Sequence, residues 1–403
     1  MYLESPLKAF ICPPLAVKSA VFAFILSVLA GCGGSGKTTV PVPENPVVTP
    51  TPAPEPTPTP VPTPEITVEH LHSLADMPIG VAVEAGGAIN SILTSAPRQA
   101  IVEAHFDTVT PENIMKPFLL HPQQDTYDFG DADDLMDYTV AQGLAVHGHV
   151  LIWHAQQPDW INSFAGTQTE WQAMMDDHIV TIVEHFAQNY DNVVSWDVVN
   201  EAFLDGGGSQ LRDSVWRLGV GDDYIARAFT SARSAAGANV DLYYNDYGME
   251  NNGSKLNSIL AMVDDLQASA VPIDGIGFQM HVNMDYPDVG TFKQALAKVV
   301  SRGLKVKLTE MDVARSTLDT DRISQLTPEM QLALADRYKA LVNAYLEAVP
   351  AASRGGITVW GITDADSWLN RNTSRLEFGV LFNSDFTPKP ALQGFADALI
   401  ETP

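Results

Sequence analysis

The chain has 403 residues, a formal net charge of −26 and a pI near 4.5. Polyanion binding needs clustered Lys and Arg, so this balance excludes nucleic acid as a partner and leaves neutral substrates unaffected. Most of the 49 acidic residues are expected on a solvated surface.

At the N-terminus Lys8 and Lys18 precede an apolar run at 20–29, followed by Leu29-Ala30-Gly31-Cys32. This is the layout of a secretory signal, and the run is shorter than the ~20 apolar residues of a membrane span. Its end resembles the lipobox of bacterial lipoproteins. That resemblance implies cleavage before Cys32, a lipid on Cys32, and export to the outer membrane or cell surface, since Gly33 rather than an aspartate follows. The other cysteine, Cys12, lies in the segment removed, so no disulfide is expected in the mature chain.

Residues 41–64 are Pro-Thr repeats such as Thr57-Pro58-Thr59-Pro60. Proline fixes φ and supplies no amide donor, so this linker is expected to stay extended and unpacked as a stalk. The composition turns globular near Ile66 and no second linker interrupts it. The expected organisation is therefore a signal peptide at 1–31, a lipidated cysteine and Pro/Thr linker at 32–65, and one catalytic domain at 66–403.

Within that domain eight short apolar runs alternate with helical segments, at 77–83, 108–115, 145–154, 193–201, 241–247, 275–282, 305–313 and 356–362. Eight such runs predict an α/β fold of the (β/α)8 TIM-barrel type. Thr327 before Pro328 and Glu329 marks a helix start, with Leu334, Tyr338, Leu341, Val342 and Tyr345 on its apolar stripe. Met174, Met175, Ile179, Ile182 and Val183 form a second stripe.

In a parallel barrel the chemistry sits where the strands end. The fourth run closes on Asn200 and Glu201, and the seventh on Glu310 and Asp312. A carboxylate at the end of a buried strand is costly unless something pairs with it, so two such strands call for a chemical reason. Glu310 and Asp312, two apart, share a face and need a cation or donor between them. Gln279 and His281 on the sixth run can supply donors to both acids. No standard metal-ligand spacing and no His-Glu-x-x-His helix is present, so neither metal nor other cofactor is expected. A Gly-x-Ser-x-Gly elbow is missing, and Gly206-Gly207-Gly208-Ser209 lacks the lysine of a phosphate-binding loop and reads as a rim loop.

Glycosidic cleavage accounts for more of these residues than any other chemistry. It needs one acid for the leaving oxygen and one carboxylate for the positive charge that grows at the anomeric carbon. Trp153, Trp360, Trp368 and Tyr247, at or just after strand ends, could cover the apolar faces of sugar rings.

Trp196-Asp197-Val198-Val199-Asn200-Glu201-Ala202 and Leu308-Thr309-Glu310-Met311-Asp312-Val313 resemble the acid/base and nucleophile segments of glycoside hydrolase family 10, the retaining endo-β-1,4-xylanases. Glu112-Asn113-Ile114-Met115-Lys116, the stretch from His149 to His154, Asn245-Asp246-Tyr247, Gln279-Met280-His281 and Trp360-Gly361-Ile362-Thr363-Asp364 with Trp368 extend the match in order. The resemblance implies Glu201 as general acid/base and Glu310 as nucleophile, with Asn200 on the sugar 2-hydroxyl. It further implies His281 and Asp312 behind Glu310, and Gln279 on Glu201. Glu112, Asn113, Lys116, His149 and Trp153 would bind sugars on the non-reducing side under Trp360 and Trp368, and Tyr247 would meet the leaving group.

The expected protein is a monomer that cuts xylan and xylo-oligosaccharides while anchored to a membrane through Cys32. A related barrel β-1,4-glucanase and a non-catalytic glycan-binding surface lipoprotein remain open as alternatives. Two departures from the family stand out: the disulfide frequent in the barrel's second half is missing, and Asp364-Ala365-Asp366 lacks the bulkier residue often found before Ser367-Trp368.

Overall fold

The computed structural model describes residues 65–205, 210–319, 321–372 and 375–402. The signal, Cys32, the Pro/Thr linker and the Gly206–Gly208 stretch with Ser209 lie outside the described residues.

Nine parallel strands form the sheet: β1 (Ile79–Val83), β2 (Thr108–Pro111), β3 (Ala145–Trp153), β4 (Val193–Asn200), β5 (Asp241–Asp246), β6 (Gly275–Phe278), β7 (His281–Asn283), β8 (Lys305–Ala314) and β9 (Arg354–Val359). Neighbours pair in chain order from β1 to β6, β6 then pairs with β8, β8 with β9, and β9 with β1. That ring of eight is the (β/α)8 barrel the eight apolar runs predict. The short β7 pairs only with the outer end of β8, His281 opposite Asp312.

The two long helices owe their places to apolar stripes and capped starts. Helix Gln168–Asn189 opens on a capping box, in which Glu170 N donates to Thr167 Oγ1 at 3.4 Å and Thr167 N to Glu170 Oε2 at 2.6 Å. It buries Met175, Ile179, Ile182, Val183 and Phe186 against the barrel, while Met174 turns partly outward. Helix Pro328–Ala348 starts where the Thr327-Pro328 pair predicts, with Thr327 Oγ1 accepting from Met330 N at 3.3 Å. Each fully buried aliphatic side chain of such a stripe contributes about 1.5–3 kcal/mol.

Two expected runs end differently. The run at 108–115 stops being strand at Pro111, and Glu112 to Lys116 form the turn that follows. The run at 275–282 breaks at Met280, whose φ is 62° and whose N–H is taken by Glu250 Oε1 at 3.3 Å instead of a strand neighbour. Close approach is bought with glycine on both faces of the sheet: a Cβ on Gly277 would stand 2.5 Å from Asn245 Oδ1, and one on Gly148 2.2 Å from the Trp196 ring, which packs against Phe186 of the outer helix.

Candidate active site

Glu201 follows the last residue of β4, and Glu310 projects from the C-terminal half of β8, four residues before its end, at the same mouth of the barrel. Glu201 is the first residue past β4; its φ is 54° and its N–H donates to Asn245 O at 2.9 Å, an extra pairing with β5 that turns the side chain over the opening. Its carboxylate accepts from Gln279 Nε2 at 2.9 Å and Trp153 Nε1 at 3.0 Å. His154 Nδ1 lies 3.8 Å away, and burial lowers the pKa of that ring.

Glu310 sits deeper. Oε1 accepts from Asn245 Nδ2 at 2.7 Å and Oε2 meets His281 Nε2 at 3.1 Å. His281 Nδ1 in turn reaches Asp312 Oδ2 at 2.9 Å, and that oxygen also accepts from Trp368 Nε1 at 2.8 Å. Burial opposes a charge on His281, but Asp312 and Glu310 outweigh it and lift the pKa from 6.5 to about 10. Burial would likewise raise the Glu310 pKa, yet the hydrogen bond and charge of His281, with His149 farther off, bring it below the ordinary value. The imidazolium is thus the cation that a pair of same-face carboxylates requires.

This arrangement makes a pH prediction. A pKa raised on folding contributes stability that is complete below the unfolded value and is lost as pH rises through the folded one. Stability supplied by His281 is therefore expected in full below about 6.5 and gone above about 10. Denaturant unfolding of wild type and His281→Gln at about pH 6 and about pH 10 checks it. The difference between the two proteins should shrink toward the alkaline end, and a constant difference would contradict the assignment.

The two acids share one polar network. Asn245 Nδ2 and Gln279 Nε2 both approach one end of the Asn200 amide, at 3.1 and 3.2 Å, and its other end lies 3.4 Å from Glu201 Oε1. Asn245 is oriented in its turn by Thr309 Oγ1, which donates to its Oδ1 at 2.6 Å. The break at Met280 lets Gln279 face Glu201 while His281 faces Glu310, a split that strand alternation alone would not produce.

One flank carries the other residues named from the sequence. Lys116 Nζ donates to Asn113 Oδ1 at 3.0 Å and Gln156 Oε1 at 2.8 Å, and lies 5.1 Å from the Trp153 ring centroid. Asn113 Nδ2 donates to Glu84 Oε1 at 2.7 Å. Burial lowers the Lys116 pKa against the opposing pull of Glu112, Glu310, Glu84 and Glu201. His149 Nδ1 bonds to Asp197 Oδ2 at 2.8 Å, and Trp360 packs edge-on between His149 and His281 with centroids at 5.5 and 6.3 Å. Trp368 leans on His281 at 4.7 Å. Asp366 turns away from the cleft: Arg98 Nη2 donates to it at 2.6 Å and Asn90 Nδ2 at 3.2 Å, which ties the loop after β9 to the loop after β1.

On the opposite flank Tyr247 OH donates to Asp205 Oδ2 at 2.6 Å and accepts from Arg212 Nη2 at 2.9 Å. Five residues that the sequence reading gave no role belong to this constellation: Glu84, Gln156, Asp197, Arg212 and Asn245. Glu84 and Asn245 carried the same signal as Glu201, a polar side chain closing an apolar run. Gln156 and Arg212 come from loops without periodicity, and no pattern marks them.

Comparison with known proteins agrees with this geometry. The family model for glycosyl hydrolase family 10 matches residues 69–398. The endo-β-1,4-xylanase Xyn10C of Cellvibrio japonicus is 44% identical over 355 residues, covering 83% of this chain and 58% of that protein, so the chain spans little more than half of its relative's length. A solved structure of a mutant of xylanase 10C from the same organism, in complex with xylopentaose, superposes with a TM-score of 0.79 at 42% identity over 84% of this chain and 70% of that one. The catalytic core of a xylanase A matches with a TM-score of 0.74 at 40% identity, covering 82% of this chain and 99% of that core. The chain belongs to glycosyl hydrolase family 10.

Proposed function

We propose that the protein is an endo-1,4-β-xylanase that cleaves internal bonds of xylan and xylo-oligosaccharides with retention of configuration. The observation that carries this reading is the unequal setting of the two glutamates: Glu310 is held charged by His281 and Asn245, while Glu201 faces neutral groups, Gln279 and Trp153 as donors and the Asn200 amide 3.4 Å away.

In the first step Glu201 gives its proton to the glycosidic oxygen as the Glu310 carboxylate bonds to the anomeric carbon and the leaving chain departs. The carboxylate's charge vanishes in that ester, and Asp312 keeps His281 in place meanwhile. In the second step Glu201 takes a proton from water, which attacks the anomeric carbon and returns Glu310 to its charged form. Asn200, packed among Asn245, Gln279 and Glu201, presents its amide to the 2-hydroxyl, a contact that strengthens in the transition state. Glu112, Asn113, Lys116, His149 and Trp153 bind sugars on the non-reducing side, with Trp360 and Trp368 covering them, and Tyr247 meets the leaving sugar. Trp153 thereby has a second task, as a donor to the acid/base itself.

Xylose lacks a hydroxymethyl group at C5, and a rim crowded by Trp360 and Trp368 would exclude glucose chains sterically. Reducing-sugar release from xylan with little from cello-oligosaccharides is the expected result, and comparable turnover of both would overturn the substrate assignment. For location, the lipobox-like end of the N-terminal run supports lipid attachment at Cys32 and display on a Pro/Thr stalk at the outer membrane or cell surface. Cys32→Ser is expected to abolish incorporation of labelled fatty acid and to release activity from the membrane fraction. Unchanged labelling would contradict the anchor.

A further inference from the structure

The peptide group between Glu201 and Ala202 is gripped at both ends. Its carbonyl accepts from Arg212 Nε at 3.0 Å, and its N–H donates to the hydroxyl of Tyr244 at 2.9 Å. Tyr244 is fully buried, and its hydroxyl donates onward to Asp246 Oδ2 at 2.6 Å. Asp246 Oδ1 pairs with Lys255 Nζ at 2.7 Å. Lys255 Nζ also reaches Asp205 Oδ1 at 3.2 Å and lies 3.7 Å from the centroid of the Tyr247 ring. Tyr247 OH receives Arg212 Nη2 at 2.9 Å, so the contacts close into a ring that begins and ends on one peptide.

That peptide has reason to be held. Glu201 lies in the left-handed region at φ 54°, a conformation that a non-glycine residue keeps only where its surroundings over-determine it. Holding the Glu201–Ala202 peptide on one side and the Glu201 N–H to Asn245 O on the other fixes the Glu201 backbone, and with it the direction in which the side chain leaves. A small rotation there would carry the carboxyl away from a glycosidic oxygen, and proton transfer is sensitive to displacements of that size.

We propose that Tyr244 and Arg212 are positioning residues for the general acid/base, acting through the Glu201–Ala202 peptide and braced by Asp246 and Lys255. The clamp rests on the reading of Glu201 as the proton donor. It touches no reacting atom, and Glu310 is held by a separate set of groups, His281 and Asn245.

Tyr244→Phe removes the hydroxyl alone. On xylohexaose its kcat is expected to fall about tenfold with KM within about twofold, while a dinitrophenyl xylobioside, which needs little protonation, should change less than about twofold. Arg212→Met should show the same leaving-group selectivity, and it carries the test if Tyr244→Phe does not fold. Equal loss on both substrates, or no loss on xylohexaose, overturns the clamp. Glu201→Ala measured alongside separates the two failures. If it too is unselective, the acid/base assignment falls; if it is selective while Tyr244→Phe and Arg212→Met are not, only the clamp falls.

Discussion

Glu310→Ala is expected to lower kcat on xylan by roughly 10⁴-fold or more, with folding preserved, because no other group near the anomeric carbon can form the covalent intermediate. The side chain is buried, and its removal leaves His281 Nε2 without its acceptor and takes one of the two contacts of Asn245 Nδ2. Some stability loss is therefore expected as well, of about 1–3 kcal/mol for an unpaired buried donor. Two readouts keep the effects apart: circular dichroism and thermal melting report the fold, and reducing-sugar release reports the chemistry. Residual turnover within about tenfold of wild type in a folded variant would remove Glu310 from the nucleophile's role. A non-catalytic glycan-binding protein would show no difference between the two proteins.

Glu201→Ala is expected to be selective in a way that Glu310→Ala is not. A general acid contributes about 10²–10⁴-fold where the leaving oxygen must be protonated, and xylan presents a sugar hydroxyl as leaving group. An aryl xyloside with an acidic phenol needs little of that help in the first step. The second step still needs a base, so turnover of the aryl substrate should become limited by hydrolysis of the intermediate. Azide, a nucleophile that needs no base, is then expected to restore turnover. Equal losses on xylan and on the aryl substrate, with no azide rescue, would contradict the role given to Glu201.

The barrel itself was legible because each strand reads as a short apolar run and two of the helices as apolar stripes, one with the Thr327-Pro328 start signal. All eight runs correspond to strands of the ring. The acids were legible for the opposite reason: Glu201 and Glu310 break the apolar pattern, one just past β4 and the other within β8. The same argument reaches Glu84 after Val83 and Asn245 near the end of β5, and both lie in the site. The break at Met280 was not legible, since an isolated Met in an apolar run carries no turn signal. Its cause is tertiary, the capture of its N–H by Glu250 from a different loop. Arg212 and Gln156 were invisible for a related reason. Loop residues follow no periodicity, and only the folded chain brings Arg212 to the Glu201 carbonyl and Gln156 to Lys116. Asp366 shows a further limit: the sequence marks a missing bulky neighbour before Ser367-Trp368, and the structure shows what Asp366 does instead, closing an ion pair with Arg98 of helix Ala96–His105.

The division of labour between the glutamates has one direct consequence. If Glu310 attacks the anomeric carbon and water then displaces it, each step inverts that carbon and the product keeps the β configuration. Proton NMR on xylohexaose during the first minutes of hydrolysis, before mutarotation, reads the newly formed anomer. The β anomer is the predicted first product, and an α anomer would mean that water attacks directly and that Glu310 is not a nucleophile.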